Sequence, residues 1–169
     1  MKLVSPAVAS ASPLEVIGWR EWATLPQLSI NRIKAKVDTG ARTSALHAFD
    51  LEYFEEAEGL MVRFKAHPLQ RDTSLTVEAI APILGKRQVR NSGGQVQERP
   101  VILTTVSFGQ QPWEIELTLT NRDVMGFRML LGREAVRRRF LVDPGGSYLM
   151  SQFDRNAAPT EEIDEPDLP

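Results

Sequence analysis

The sequence predicts a small all-β domain, a closed barrel or a sandwich, with one short helix near the C-terminus. Three observations support this prediction: short segments in which apolar and polar residues alternate, turn residues between these segments, and a single segment of helical character. With 169 residues, of which 42% are hydrophobic and 25% are charged, the chain can bury one sizeable core.

Alternation predicts the strands in chain order. In Arg32–Val37 the apolar side chains of Ile33, Ala35 and Val37 share one face, and the basic side chains share the other. The same pattern predicts four further strands, of which the last two form a hairpin: Leu60–Ala66, Leu75–Ala81, Arg99–Phe108 and Trp113–Thr120.

A second hairpin is predicted between Gly85 and Val101. Its turn, Asn91–Gly94, consists of residues that tolerate a positive φ or favour turns. Both arms are rich in charged and amide side chains, so the hairpin cannot lie flat on the core over its whole length. We therefore expect it to project from the domain.

The predicted helix follows a short apolar strand that ends at Gly132. Arg133–Arg139 are long enough for about two helical turns. Beyond the helix, Pro144–Gly146 are predicted to end the last strand, and Tyr148–Met150 are predicted to close the domain.

Charge is distributed unevenly along the chain, whose formal net charge is −2. Residues 154–169 hold six acidic side chains and one basic one, whereas residues 1–153 hold 19 basic and 16 acidic ones. We predict a folded domain at 14–153 and a disordered acidic tail at 154–169. Residues 1–13 are interpreted as the flexible N-terminus of a cytoplasmic protein, with secretion as the alternative; no apolar run approaches the length of a membrane-spanning helix.

One carboxylate stands in an unusual place. Asp38 ends the strand Arg32–Val37 and begins a turn of the small residues Thr39, Gly40 and Ala41. Because strand interiors disfavour Asp, this residue either caps an ordinary turn by bonding nearby backbone N–H groups or takes part in chemistry. In an aspartic protease, two carboxylates close together share one proton, and between them they activate water and protonate the leaving amine.

Three blocks of sequence together resemble the retropepsin-like aspartic proteases. In chain order they are KVDTGARTSAL, KRQVRNSGGQVQERPVI and RMLLGREAV. The combination is similar to a bacterial family labelled ATP-dependent zinc proteases, which includes the RimB proteases associated with glutamate ligases of the RimK type. The resemblance covers most of the chain, from Glu15 to Met150, and implies a closed retropepsin-like β-barrel that hydrolyses peptide bonds.

The resemblance also implies roles for individual residues. Asp38 would be catalytic, Thr39 would hydrogen-bond across a dimer axis, and Gly40 would let the backbone approach and offer its N–H to the carboxylate. The Leu130–Gly132 run would pack beside this loop, and the Gly85–Val101 hairpin would be the flap over the substrate. The chain contains a single Asp-Thr-Gly, so the second carboxylate would come from Asp38 of another copy in a homodimer.

Basic residues concentrate in the blocks that would form the cleft, which favours an anionic substrate. Arg42 stands just after Ala41, where other retropepsins usually have a small or acidic residue. By resemblance, the substrate would be an acidic peptide, such as a glutamate tail added to a ribosomal protein. A nucleic acid is not expected, because the chain is acidic overall. Six residues are predicted to bind substrate: Ala41, Arg42, Lys36, Arg87, Arg90 and Arg133. Arg99 lies in the same blocks.

No metal or other cofactor is expected, despite the family label. The chain has no cysteine and only two histidines, His47 and His67, and it lacks both H-E-x-x-H and the phosphate-binding G-x-x-x-x-G-K-[ST]. His47 is expected to be a partly buried histidine on a strand.

The sequence therefore predicts a dimeric aspartic endopeptidase that cleaves acidic peptides, with a glutamate ligase of the RimK type as candidate partner. Two alternatives stay open. One is a non-catalytic β-barrel that binds acidic peptides in the same basic groove, and the other is a metal-dependent hydrolase.

Overall fold

The structure, a computed structural model, describes residues 13–121 and 126–150. The predicted flexible N-terminus up to residue 12, Asp123 and the predicted acidic tail lie outside the described residues. The described elements are ten strands, a 3₁₀ turn at Pro26–Leu28 and a short helix: β1 Glu15–Leu25, β2 Ile30–Asp38, β3 Ser44–His47, β4 Phe49–Glu56, β5 Gly59–Ala66, β6 Val77–Arg90, β7 Val96–Phe108, β8 Gln111–Thr120, β9 Met129–Gly132, α1 Arg133–Val136 and β10 Phe140–Ser147.

Six strands close into a mixed β-barrel. Their order is β1, β2, β9, β3, β8 and β7, and the pairing of Thr24 with Ser107 joins β1 to β7. The pairs β2–β9 and β3–β8 are parallel, whereas β1–β2, β3–β9 and β7–β8 are antiparallel. β10 lies parallel to β1 at one edge, and β6, β5 and β4 extend the sheet beyond β7. The predicted all-β barrel with one short helix near the C-terminus is confirmed.

The barrel core follows the alternation of the strands. Ile33, Ala35 and Val37 are buried, as their shared face in β2 predicts. Phe108, Trp113 and Phe140 form an aromatic cluster in the core, with ring centroids 5.1, 5.2 and 5.9 Å apart. Full burial of a large side chain such as Ile33 or Phe108 contributes about 1.5–3 kcal/mol to folding relative to an exposed one.

The predicted hairpins differ from the structure in extent. The strand predicted at Leu75–Ala81 begins at Val77 in the structure. It does not end at Ala81, because it continues as β6 to Arg90. One long strand therefore forms both part of the sheet and the first arm of the projecting hairpin, whose second arm is the start of β7. The alternation pattern did not predict β1 or β4.

The C-terminal part also departs from prediction. The helix has four residues, not about two turns, and Arg138, at φ 62°, reverses the chain before Phe140 enters β10. The prediction that Pro144–Gly146 end the last strand is wrong, since β10 continues to Ser147. A bulge in its register with β1 accommodates these residues, and an edge strand tolerates the missing N–H of proline.

Residues 148–150 return to β1. The Tyr148 N–H donates to the Arg20 carbonyl at 2.9 Å, and the Met150 N–H donates to Oε1 of Glu21 at 2.6 Å. Glu21 is fully buried, and burial raises the pKa of its carboxyl although backbone N–H groups act in the opposite direction. Within the described part of the chain, no helix is long and apolar enough to span a membrane.

Candidate active site

Asp38 is the last residue of β2 and starts a tight turn. Its Oδ1 accepts hydrogen bonds from the N–H groups of Gly40 at 3.0 Å and Ala41 at 3.2 Å. A Cβ atom at position 40 would lie only 3.2 Å from that oxygen, so glycine leaves room for the contact. The turn thus presents a partly buried carboxylate that two backbone donors hold in place.

β9 packs directly beside this turn, which confirms the predicted position of the Leu130–Gly132 run. The two strands are parallel, and Asp38 pairs with Gly132. The Gly132 N–H donates to the buried Ser44 hydroxyl at 3.0 Å. At the start of α1, the Arg133 N–H donates to the Ala41 carbonyl at 2.7 Å. The Asp38 turn is therefore tied to β9, α1 and the start of β3.

A cleft of about 680 Å³ lies between this turn and the β6–β7 hairpin. The hairpin turn is closed by the Asn91 side chain, whose Oδ1 accepts the Gln95 N–H at 2.9 Å, and Gly94 adopts the expected positive φ of 82°. The cleft is lined by Asp38, Gly40, Ala41, Arg42, Thr43, Ala45, Arg87, Gln88, Val89, Arg90, Asn91, Ser92, Gly93, Arg99 and Leu130.

The charge of this lining is strongly positive. Four arginines, Arg42, Arg87, Arg90 and Arg99, line the cleft together with one carboxylate, Asp38. Neither Arg42 nor Arg90 forms an ion pair or a hydrogen bond through its guanidinium group with the described residues. A cleft of this charge attracts anionic ligands and raises their local concentration.

The four arginines differ in orientation. In the hairpin, Arg87 pairs across the strands with Arg99. Arg87 is partly buried between two exposed neighbours and Arg99 is buried, so both face the body of the domain. Arg90 is three positions beyond Arg87, which places it on the opposite, exposed face near the hairpin tip. It is nevertheless among the residues that line the cleft.

The predicted site residues fall into two groups. Asp38, Gly40, Ala41, Arg42, Arg87 and Arg90 line the cleft. Lys36, Thr39 and Arg133 do not line it, and the Thr39 carbonyl accepts a hydrogen bond from Nη1 of Arg133 at 3.2 Å, so Arg133 supports the turn. The lining also includes the apolar residues Ala45 and Leu130, which were not predicted as site residues and which only the pairing of β3 with β9 brings together.

The residues present do not fit a zinc site. His47 and His67 both lie against the ring of Phe49, with ring centroids 6.3 and 4.6 Å from it. His47 is partly buried at the end of β3, as expected. Within residues 13–121 and 126–150, no group of three or more His, Cys, Asp or Glu side chains could hold a metal ion.

Comparison with known proteins identifies relatives of this domain. A family model described as "RimB-like: Retropepsin-like aspartic endopeptidase RimB" matches residues 16–152. A "Probable alpha-L-glutamate ligase" of Parasynechococcus marenigrum (strain WH8102) is 50% identical over 138 residues, which are 82% of this chain and 30% of the relative. A protein of the same name from Shewanella halifaxensis (strain HAW-EB4) is 42% identical over 137 residues, 81% of this chain and 30% of the relative.

The chain thus spans about 30% of the length of these curated relatives. A crystal structure of the protein Lpg0085 from Legionella pneumophila, of unknown function (DUF785), superposes with a TM-score of 0.69 at 27% identity, covering 81% of this chain and 98% of that one. The family match covers the Asp38 turn, the β6–β7 hairpin and β9. This chain belongs to the RimB-like family of retropepsin-like aspartic endopeptidases.

Proposed function

We propose that this chain is an aspartic endopeptidase that works as a homodimer in the cytoplasm and hydrolyses acidic, glutamate-rich peptides. The observation that carries the proposal is a partly buried Asp38 carboxylate, held by two backbone N–H groups, in a cleft lined by four arginines and no other acid among the described residues. Membership of the family supports the reaction class, and the charge of the cleft supports the substrate class.

The chemistry requires a second carboxylate, which Asp38 of another copy would supply. With one proton shared between the two, the ionised carboxylate takes a proton from a water molecule as the water oxygen bonds to the peptide carbonyl carbon. The protonated carboxyl group then gives its proton to the amide nitrogen as the C–N bond breaks. The Gly40 and Ala41 N–H groups keep Oδ1 of Asp38 fixed through both steps.

The arginines explain how a dyad with about one negative charge could accept an acidic peptide. Without cations, the like charges of peptide and dyad would repel each other. Arg42 stands four residues from Asp38, and its planar guanidinium can bind a carboxylate through two parallel hydrogen bonds. The glutamate ligase names of the longer relatives support a glutamate tail as substrate, such as one on a ribosomal protein, and a ligase of the RimK type as partner.

The proposal is tested first at Asp38. Asp38→Asn should fold and dimerise, but hydrolysis of an oligoglutamate peptide should fall by orders of magnitude, because an amide is neither acid nor base. Asp143→Asn is a matched control. Like Asp38, Asp143 accepts a hydrogen bond at Oδ1 from the N–H of the glycine two residues later, Gly145, at 2.9 Å. Asp143 does not line the cleft.

Three results would decide against the proposal. Undiminished hydrolysis by purified Asp38→Asn protein would refute the aspartic mechanism. Loss of wild-type activity on chelation, restored by zinc, would support the metal-dependent hydrolase. Tight binding of oligoglutamate without any cleavage by the wild type would support the non-catalytic binding module.

A further inference from the structure

A second cavity, of about 480 Å³, adjoins the cleft. It shares Arg42, Thr43 and Arg87 with the cleft, so these residues stand at the junction of the two spaces. On the far side of the junction, the wall of the second cavity includes Glu114 and Glu116, which lie on the exposed face of β8.

At this junction, Arg87 already forms an ion pair with another residue of the chain. Its Nη2 atom lies 2.6 Å from Oε2 of Glu116, and both side chains are partly exposed. Arg87 also stands directly opposite Arg99 in the β6–β7 pairing. Like charges in directly opposed cross-strand positions destabilise a sheet, so the hairpin benefits from an anion beside Arg87, and Glu116 supplies it when the cleft is empty.

We propose that Glu116 is an internal counter-ion, which a carboxylate of the substrate displaces from Arg87. This inference rests on the proposed function, and it assigns to Glu116 the control of how strongly the site favours acidic peptides. A substrate carboxylate that reaches Arg87 exchanges one ion pair for another, so most of the gain from the new pair is offset by loss of the old one. Without Glu116, the substrate carboxylate would pair with Arg87 without having to displace another anion.

The test compares Glu116→Gln with Glu114→Gln. Both variants remove one negative charge from the same face of β8 beside the same cavity, but only Glu116 contacts Arg87. Glu116→Gln should lower the KM for an oligoglutamate peptide about two- to fivefold relative to Glu114→Gln, with little change in kcat, since an exposed ion pair is of that strength. The KM for an uncharged peptide should stay the same.

A double-mutant cycle with Arg87→Gln isolates the contact. In the Arg87→Gln protein, adding Glu116→Gln should bring no further change in KM, because the guanidinium group with which Glu116 pairs is already absent. An equal shift in both glutamate variants, a shift that persists without Arg87, or a lower melting temperature with an unchanged KM would each overturn the proposal.

Binding measurements separate this inference from the proposed function. The titration of oligoglutamate into Asp38→Asn protein, with and without Glu116→Gln, requires no catalysis. If the wild type cleaves no acidic peptide but Glu116→Gln still tightens binding, the displacement stands and the peptidase assignment fails. If the wild type cleaves and the affinity does not change, Glu116 has no such role.

Discussion

Gly132 packs tightly against the backbone of Arg42 and Thr43, which joins the Asp38 turn to β3. A Cβ atom there would lie 2.5 Å from the carbonyl carbon of Thr43 and 2.9 Å from the carbonyl oxygen of Arg42. These are backbone atoms, which cannot move aside as the end of a flexible side chain can. A residue without a side chain is therefore needed for β9 to lie this close to the Arg42–Thr43 segment that follows the Asp38 turn.

Gly132→Ala should accordingly destabilise the domain by about 1–3 kcal/mol, because the added methyl group forces strands apart in a packed region. The loss would appear as a lower denaturation midpoint, together with a lower kcat as the Asp38 turn shifts. Gly85→Ala is the matched control, since a Cβ there meets no atom within 4 Å. If both variants unfold at the same denaturant concentration, the packing at Gly132 is looser than the structure indicates.

Arg42 offers a second test at the scale of one residue. Arg42→Ala should cost about 1.5–3 kcal/mol in kcat/KM for an oligoglutamate peptide, since a hydrogen bond between charged groups is lost. Arg63→Ala serves as control, because Arg63 pairs with Glu52 on β4, outside the cleft. Higher salt should weaken capture of the acidic peptide. Equal turnover of acidic and neutral peptides, without salt dependence, would contradict the anionic substrate and leave the peptidase assignment intact.

Among the elements, those with local signals could be predicted from the sequence. The Asp38 turn and the Leu130–Gly132 run carry their signals within a few residues, and the structure brings them together as predicted. β1 could not be predicted in this way, because its Val16 is exposed while its Glu21 is fully buried. That burial depends on Met150, a residue 129 positions away, whose N–H the carboxylate accepts.

The β6–β7 hairpin, which contributes to the site, could also be predicted only in part. Its turn residues and polar arms predict a projecting element, and the structure has one. Whether Arg87 or Arg90 faces the domain depends on the register with β7, which composition does not contain. The cleft-facing pair of Arg87 and Arg99 could therefore be located only once the strands were paired.

The buried Glu21, which accepts the Met150 N–H, should make the stability of the domain depend on pH. Its pKa in the folded state is raised above the usual 4.5, so the protonated form favours folding. This contribution is fully present below about pH 4.5 and is lost as the pH rises through the raised value. Glu21→Gln, which keeps an oxygen for the Met150 N–H without a charge, should therefore gain stability relative to wild type between pH 4.5 and 7.

Denaturant unfolding of both proteins across this range measures the effect. A Glu15→Gln variant controls for general charge, because Glu15 lies on the same strand but is exposed. A constant difference in stability between wild type and Glu21→Gln at all pH values would show that Glu21 titrates alike in the folded and unfolded chain.

A prediction at the scale of the whole molecule concerns how many chains form one active site. Asp38 is the one carboxylate among the described residues that line the cleft, and the mechanism needs two. A two-fold axis through the mouth of the cleft would bring two copies of the Asp38 turn together and join two arginine-lined halves into one channel. The proposed dimer thus follows from the chemistry of the site, and one chain alone should be inactive.

Subunit mixing tests this directly. If wild-type subunits exchange with a ninefold excess of Asp38→Asn subunits, only about one tenth of the wild-type subunits pair with each other, so activity per wild-type subunit should fall about tenfold. The same excess of Asp143→Asn, which keeps the Asp38 turn intact, should cause no loss and gives the control for exchange. Sedimentation at each concentration establishes whether dimers are present. Full activity of dilute protein that sediments as a monomer would contradict the shared dyad, because one Asp38 would then suffice for hydrolysis.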